Sequence, residues 1–183
     1  MTAISHRPDK AARLAIAALK SSLGGHIAAL NADLVADGES FQIPTFDAGS
    51  IYQATQVEHM PKKDREIRVV LSPYVVDPAG VTSAGKYDFQ LDVAATMGLE
   101  DVEGLAMADD LISAANALGV ALLWTVRDAL LDWAAAADIM TSAVTVDLQD
   151  FDDEHEGFEA NVTQTQTVLS LQCSHFGLIR RTS

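Results

Sequence analysis

The chain of 183 residues is long enough to form one domain with a sizeable hydrophobic core. Hydrophobic residues make up 49% of it and aromatic residues only 6%, so we expect a core of Ala, Leu, Val and Ile. It carries 26 acidic residues against 12 Lys and Arg, and a net charge of −14 argues against nucleic-acid binding, because phosphate contacts require clustered cations. A single cysteine, Cys173, excludes an intrachain disulfide and a cysteine zinc site.

The first predicted element is a long amphipathic helix near the N-terminus. Pro8 suits the first turn of a helix, and Asp9 places a negative charge near the positive end of its dipole. The pair Gly24-Gly25 interrupts the apolar stripe and predicts a kink or a break into two helices. The turn sequence Asp37-Gly38 ends the pattern. The apolar residues that recur at helical spacing are Leu14, Ile16, Leu19, Leu23, Ile27, Leu30 and Leu34.

No targeting or membrane segment is predicted. Arg13 and Lys20 interrupt the apolar run near the N-terminus, whereas a secretory signal has an uncharged apolar region. The uncharged window 114–126 is well below the ~20 residues that a membrane-spanning helix requires. Residues 1–7 are predicted to be a flexible tail.

The middle of the chain predicts a β-hairpin with an extended tip. A short strand over Glu39–Ile43 is ended by Pro44, and residues 44–64 form a long loop. Residues 65–76 alternate as a strand, and the turn sequence that begins at Asp77 opens a second long loop, 77–85. The strand Lys86–Val93 alternates strictly between apolar and polar residues.

Two helical patterns follow, over residues 101–118 and 120–139, with Gly119 as a stop or a kink between them. Trp124 and Trp133 are nine residues apart, about 180° around a helix, and therefore do not face the same flat core. Either one fills the core and the other a partner surface, or the helix is sandwiched between two layers.

Two strands close the chain, Ala143–Leu148 and Phe158–Cys173, and residues 176–183 form a flexible tail. The parity of the apolar residues changes within the second strand, which predicts a bulge within Thr163–Thr167. The whole pattern predicts a single α+β domain, residues 1–183. Its mostly antiparallel sheet of about four to five strands packs against the N-terminal helix and the central helices.

The strongest polar cluster is the acidic stretch 147–159. Its oxygen ligands favour a hard cation such as Ca²⁺, and a small metal-dependent hydrolase is one alternative function, although the spacing does not match an EF-hand. The other interpretation is a solvated acidic hairpin loop. Cys173 and His175 lie on the same side of a strand, either as a nucleophile and its base, as two metal ligands, or as a packed cysteine beside an exposed histidine.

The order of elements is helix, hairpin with a long loop, helices and two closing strands. With the acidity and the lack of a catalytic motif, this order resembles the tail terminator and tail-completion proteins of long-tailed bacteriophages and phage-like particles. The segments that carry the resemblance are Leu14–Leu34, Tyr87–Val93, Asp101–Leu118 and Val168–Cys173.

The resemblance implies a structural virion protein of the tail or neck, assembled in the host cytoplasm, and not an enzyme. Such a protein forms a ring, a hexamer in our expectation, that caps the tail tube and joins it to the head–tail connector proteins. It needs no cofactor and no membrane, and DNA passes through its acidic lumen without specific binding.

A ring requires two different patches that meet around a closed rotation. Opposite charge suggests one candidate pair of patches, a basic segment of one protomer against an acidic segment of the next. The second alternative function is an adaptor that binds one protein and never closes into a ring. The candidate interface residues are Lys62, Lys63 and Arg65 on the basic side and Asp150, Asp152, Asp153, Glu154 and Glu156 on the acidic side.

Overall fold

A computed structural model of the chain describes residues 8–55, 65–72, 75–78, 84–104, 108–133, 137–149 and 164–178. Two long helices and six strands lie in these ranges. In chain order they are α1 Pro8–Ala36, β1 Ile51–Ala54, β2 Glu66–Leu71, β3 Val75–Pro78, β4 Ala84–Gly98, α2 Ala108–Trp133, β5 Ala137–Gln149 and β6 Gln164–Leu178. Two short 3₁₀ turns, Ala48–Ser50 and Leu99–Asp101, precede β1 and follow β4.

The six strands form one sheet in the order β1-β2-β4-β6-β5, and β3 pairs with β4 beside β2. The β1–β2 pair is parallel, and all the other pairs are antiparallel. The long pair β4–β6 lies at the centre of the sheet. The predicted class, α+β with a mostly antiparallel sheet packed against the N-terminal helix, is confirmed.

Both helices pack on the same face of this sheet. Alternation along β4 directs Phe89, Leu91 and Val93 toward the helices, as the sequence predicted, and Ala95 and Met97 continue the same row. One hydrophobic core therefore lies between the helical layer and the sheet. The helical residues that fill it include Leu19, Leu23 and Ile27 of α1, and Leu118, Leu122 and Val126 of α2.

Helix α1 is continuous through Gly24 and Gly25, so the break that this pair predicted is absent. Leu23 and Ile27 on either side are both buried in the core, which keeps the helix continuous across the two glycines. Both glycines face open space. Apolar packing of the flanking residues outweighs the low helix propensity of about 1 kcal/mol per glycine.

Helix α2 is also continuous through Gly119, although the sequence predicted two helices there. It begins at Ala108 rather than at Asp101, and the stretch after Trp133 that was predicted as helix contains the start of β5. Gly119 serves close packing, because a Cβ at this position would lie 2.5 Å from Cγ1 of Val144 on β5. The missing side chain lets the helix approach the edge of the sheet.

Two glycine substitutions should therefore act in opposite directions. Gly25→Ala should stabilise the fold by about 0.5–1 kcal/mol, since it improves an exposed helix interior without a new contact. Gly119→Ala should destabilise it by about 1–3 kcal/mol through overpacking against Val144. Urea unfolding measures both. Adding Val144→Ala should recover much of the Gly119→Ala loss, and a Gly119→Ala variant as stable as the wild type would contradict the close packing.

The predicted strand 65–76 is two strands, β2 and β3, both paired with β4. Leu71 at the end of β2 lies opposite Leu91 of β4, and Val75 at the start of β3 lies opposite Asp88 of β4. Three residues therefore separate the two paired positions on the β2–β3 side, whereas only two separate them on β4. One extra residue of this kind interrupts a ladder, as in a bulge. The predicted loops were too long, because β1 lies within 44–64 and the ends of β3 and β4 lie within 77–85.

The predicted strand Glu39–Ile43 is reduced to a single bridge between Gln42 and Glu103. Its backbone contact is one hydrogen bond, from Gln42 N to Glu103 O, 2.9 Å long. The sequence beyond it contains Pro44, which cannot donate to a ladder. This segment is not one of the paired strands of the described sheet.

The bulge predicted within Thr163–Thr167 is absent from β6, which pairs with β4 in one register from Gln164 to Leu178. Thr165 and Thr167 are fully buried on the helix side, in the parity of Leu169 and Leu171. The Thr167 hydroxyl donates to Ala115 O of α2 over 3.0 Å. A threonine therefore serves as an inward residue here, because a backbone carbonyl of α2 satisfies its hydroxyl.

The only register shift between β5 and β6 in the described ladder lies between Ile139 and Thr141 of β5. The early part of the predicted second strand, Phe158–Val162, lies outside the described residues, as does the predicted tail at 1–7. The predicted tail at the C-terminus begins too early, because 176–178 belong to β6.

Candidate functional site

The interface residues that the sequence predicted are described only at Arg65. Its guanidinium Nη1 lies 3.6 Å from Oδ1 of Asp101, so it forms an ion pair within its own chain. The charge-paired interface therefore stays a prediction, and Arg65 already has an acidic neighbour. The other residues of this set, Lys62, Lys63, Asp150, Asp152, Asp153, Glu154 and Glu156, lie outside the described residues.

The metal interpretation of the acidic stretch 147–159 rests on residues that are largely outside the described ranges. Asp147 is in β5, where its backbone pairs with Gln166 of β6. Within the part of the chain that the structure describes, no group of three or more His, Cys, Asp or Glu side chains could hold a metal ion.

Cys173 is a packed core residue. Its side chain is buried on the helix side of β6, opposite Phe89 of β4. Burial raises the pKa of the Cys173 thiol to about 11, so the thiol is protonated at neutral pH. A protonated thiol is a poor nucleophile and a poor metal ligand, which favours packing over the nucleophile and ligand interpretations.

The strongest polar cluster among the described residues lies on the sheet face away from the helices. Glu66 and Arg68 of β2 are both buried there, and Arg68 Nε lies 3.3 Å from Glu66 Oε1. Tyr52 of β1 donates its hydroxyl to Glu66 Oε2 over 2.8 Å, and Arg68 Nη2 lies 3.5 Å from the Thr96 hydroxyl of β4. We call these four residues the polar cluster.

The environment of the polar cluster keeps its phenol neutral. Burial, followed by the hydrogen bond to the Glu66 carboxylate, raises the pKa of Tyr52 to about 12. Tyr52 therefore remains a hydrogen-bond donor to Glu66 across the physiological range. A buried carboxylate that accepts a hydrogen bond from a phenol and pairs with a guanidinium links three neighbouring strands.

Sequence reasoning missed the burial of the polar cluster. The alternation over residues 65–76 predicted a strand but assigned no burial to Glu66 or Arg68, and charged residues usually lie on a solvated strand face. The signal that could have revealed the pair is the placement of two opposite charges two residues apart on one strand face, since buried charges occur in pairs.

A second polar contact joins the two helices. The Thr125 hydroxyl donates to Ala121 O over 2.7 Å, so its oxygen accepts the hydrogen bond from Nδ1 of His26, 2.8 Å away. The hydroxyl has a single proton, which it donates to Ala121 O. The hydrogen in the contact with His26 must therefore be carried by Nδ1 of the imidazole. The His26 ring also meets Trp124 edge to face, with the ring centroids 6.5 Å apart and the planes at 85°.

Exposed apolar side chains accumulate on the outer side of α2 and at the neighbouring edge of the sheet. Trp124 is 45% exposed, and Val120, one turn earlier in the helix, is 37% exposed. Val144 on β5 is 37% exposed and contacts the helix at Gly119. The exposure of Trp124 fits the interpretation in which one of the two tryptophans faces outward. The side chain of Trp133 lies outside the described residues.

No helix within the described ranges is long and apolar enough to span a bilayer. The chain matches no protein-family model, and no curated protein is significantly similar to it in sequence.

Proposed function

We propose that this chain is a ring-forming structural protein of a phage or phage-like tail, a tail terminator or tail-completion protein. It caps the tail tube and joins the tube to the head–tail connector. The observation that carries the proposal is the order of elements: α1, a β-hairpin region that ends in the long strand β4, α2 and the closing pair β5–β6. This is the order in which the sequence resembles those proteins.

The charge of the chain supports the same function. A ring of six protomers, each with a net charge of −14, lines its passage with negative potential. DNA that moves through such a passage is repelled from the wall and does not adhere to it. The buried, protonated state of Cys173 and the mutually paired groups of the polar cluster also fit a structural role.

The mass of the purified chain in solution tests the proposal. Light scattering should show a closed oligomer of about 117 kDa, six times the 19.5 kDa protomer, with and without a chelator. Negative-stain images of the same fraction should show rings with a central opening. The matched control is the same fraction dialysed against Ca²⁺ or Mg²⁺, which should have an unchanged mass.

Two outcomes would count against a terminator. A mass or a fold that depends on the chelator would favour the metal-dependent enzyme. A chain that remains monomeric and does not bind the ends of purified tail tubes would favour the adaptor. A monomer that forms rings only on tube ends would still support the proposal, because closure would then be driven by the tube.

A further inference from the structure

The sheet ends in a long strand with a single described neighbour. β5 has 13 residues and pairs along its length with β6, and among the described strands nothing pairs with its other side. In a strand, alternate backbone N–H and C=O groups point to each side, so the outer side of β5 presents a row of hydrogen-bonding groups. From Thr141 to Gln149 the pairing with β6 continues without a register shift.

The middle of this edge, residues 139–146, carries few of the devices that protect most edge strands. Natural edges are blocked by lysines, prolines, inward-pointing charges or very short strands. The eight residues Ile139–Val146 contain no charge, no proline and no glycine. Ala143, Val144 and Thr145 are exposed. The single irregularity, at Ile139 and Thr141, lies at the start of the strand and leaves the rest of the edge open.

The surroundings of the edge are apolar as well. Val144 projects to the helix side beside Gly119, and Val120 follows that glycine on the exposed side of α2. Helix α2 carries no charged residue from Leu111 to Val126. A strand added to β5 would cover exposed valine surface in addition to pairing its backbone, which is how strand addition gains both affinity and register.

The charge of the chain limits the surfaces on which two copies can meet. Two copies that each carry a net charge of −14 repel one another over most approaches. They meet with least repulsion where neither presents charge, and the uncharged stretch 139–146 of β5, which is flanked by Asp138 and Asp147, is such a surface. The opposite edge of the sheet, β1 Ile51–Ala54, is also uncharged and pairs only with β2 among the described strands, so a second copy has an uncharged edge to offer.

We infer that the outer edge of β5 is the surface on which a second copy of this chain docks, strand against strand. The inference rests on the proposed self-assembly and adds the contact that holds neighbouring protomers together. It differs from the charge-paired contact of Lys62–Arg65 with Asp150–Glu156, because backbone hydrogen bonds and valine surface carry it.

Two double variants test the inference, and each adds two lysines and therefore the same positive charge. Ala143→Lys with Thr145→Lys places charges on the β5 edge, and Ala28→Lys with Ala29→Lys places them on the exposed side of α1. Light scattering at one concentration should show that the edge variant falls to the 19.5 kDa protomer, while the α1 variant keeps the wild-type mass. Circular dichroism checks that both variants are folded.

Hydrogen exchange of the wild-type chain gives a second measurement that needs no substitution. In residues 141–148 the amides that point to β6 should exchange slowly at any concentration. The alternate amides should slow by about ten-fold or more only at concentrations where the chain assembles. Exchange that does not depend on concentration in this second set would overturn the inference.

The outcomes separate this contact from the proposed function. A ring whose mass is unchanged in the edge variant leaves the terminator standing and overturns the β5 contact. A dimer that the edge variant dissociates supports the β5 contact and contradicts the ring. A wild-type chain that is monomeric over all concentrations, or equal dissociation by both lysine pairs, also overturns the β5 contact.

Discussion

Arg68→Met should destabilise the fold by about 3–5 kcal/mol, the largest effect that we expect from a single substitution in the described residues. Arg68 and Glu66 are both buried, and their charged groups lie 3.3 Å apart. Methionine fills much of the arginine volume but carries no charge, so the Glu66 carboxylate loses its nearest positive group. Without that group, most of the free-energy cost of removing the carboxylate from water is no longer compensated in the folded protein.

Removing both charges should be far less harmful than removing one. Glu66→Gln keeps the shape of the side chain and an oxygen that accepts the Tyr52 hydroxyl, but it removes the negative charge that faces the Arg68 guanidinium at 3.3 Å. The double variant, Glu66→Gln with Arg68→Met, removes both charges of the pair. We expect it to be within about 1–2 kcal/mol of the wild type, because neutral groups of similar volume replace a buried pair at little cost.

Urea unfolding of the four proteins at one protein concentration measures this coupling, since the stability of an oligomer depends on concentration. The sum of the two single losses should exceed the loss of the double variant by at least about 2 kcal/mol. Additive losses would show that the two side chains do not act as a pair. In that case the polar cluster would be three separate contacts rather than one network.

The fold class was readable from the sequence because the long elements have clear periods. Phe89, Leu91 and Val93 of the alternating strand and Leu19, Leu23 and Ile27 of the helical stripe are all buried in one core. Asp37-Gly38 was a correct end signal, since Gly38 takes a φ of +86° just after α1. The Glu39 and Gly38 amides bond Leu34 O and Val35 O, the two hydrogen bonds of a Schellman cap.

The errors share one cause, which is that local signals were outweighed by contacts distant in sequence. Gly119 stops a helix by propensity, yet it allows α2 to pack on Val144 of a strand some 25 positions later. Thr165 and Thr167 are polar by composition, yet Thr167 satisfies its hydroxyl on a carbonyl of α2. Neither partner is recognisable from the neighbouring residues, so the helix break and the bulge were both predicted wrongly.

The candidate site was less predictable than the fold. Arg65 was assigned to a contact with another protomer from its charge alone, and the structure pairs it with Asp101 of its own chain. Trp124 was recognised as one of two possible outward residues, because a spacing of nine residues separates two helix faces. The unprotected edge of β5 depends on sheet order, and no sequence period reports which strand lies outermost.

Gly104→Ala should destabilise the fold by about 3–4 kcal/mol, and Gly38→Ala by only about 1 kcal/mol. Both glycines have positive φ, +78° at Gly104 and +86° at Gly38, so alanine is strained by a similar amount at each. The two positions differ in the room that they leave for a Cβ atom. A Cβ on Gly104 would lie 1.8 Å from the backbone oxygen of Ser40, whereas a Cβ on Gly38 meets no atom within 4 Å.

The difference between the two variants therefore isolates the close approach of two backbone segments. Alanine at 104 has to push the Ser40 carbonyl away, and that movement opens the neighbouring bridge between Gln42 and Glu103. Urea unfolding measures the difference, which should be about 2–3 kcal/mol, and the Gln42 amide should exchange faster in Gly104→Ala alone. Equal losses in the two variants would mean that backbone conformation, and not this contact, is the reason for glycine at position 104.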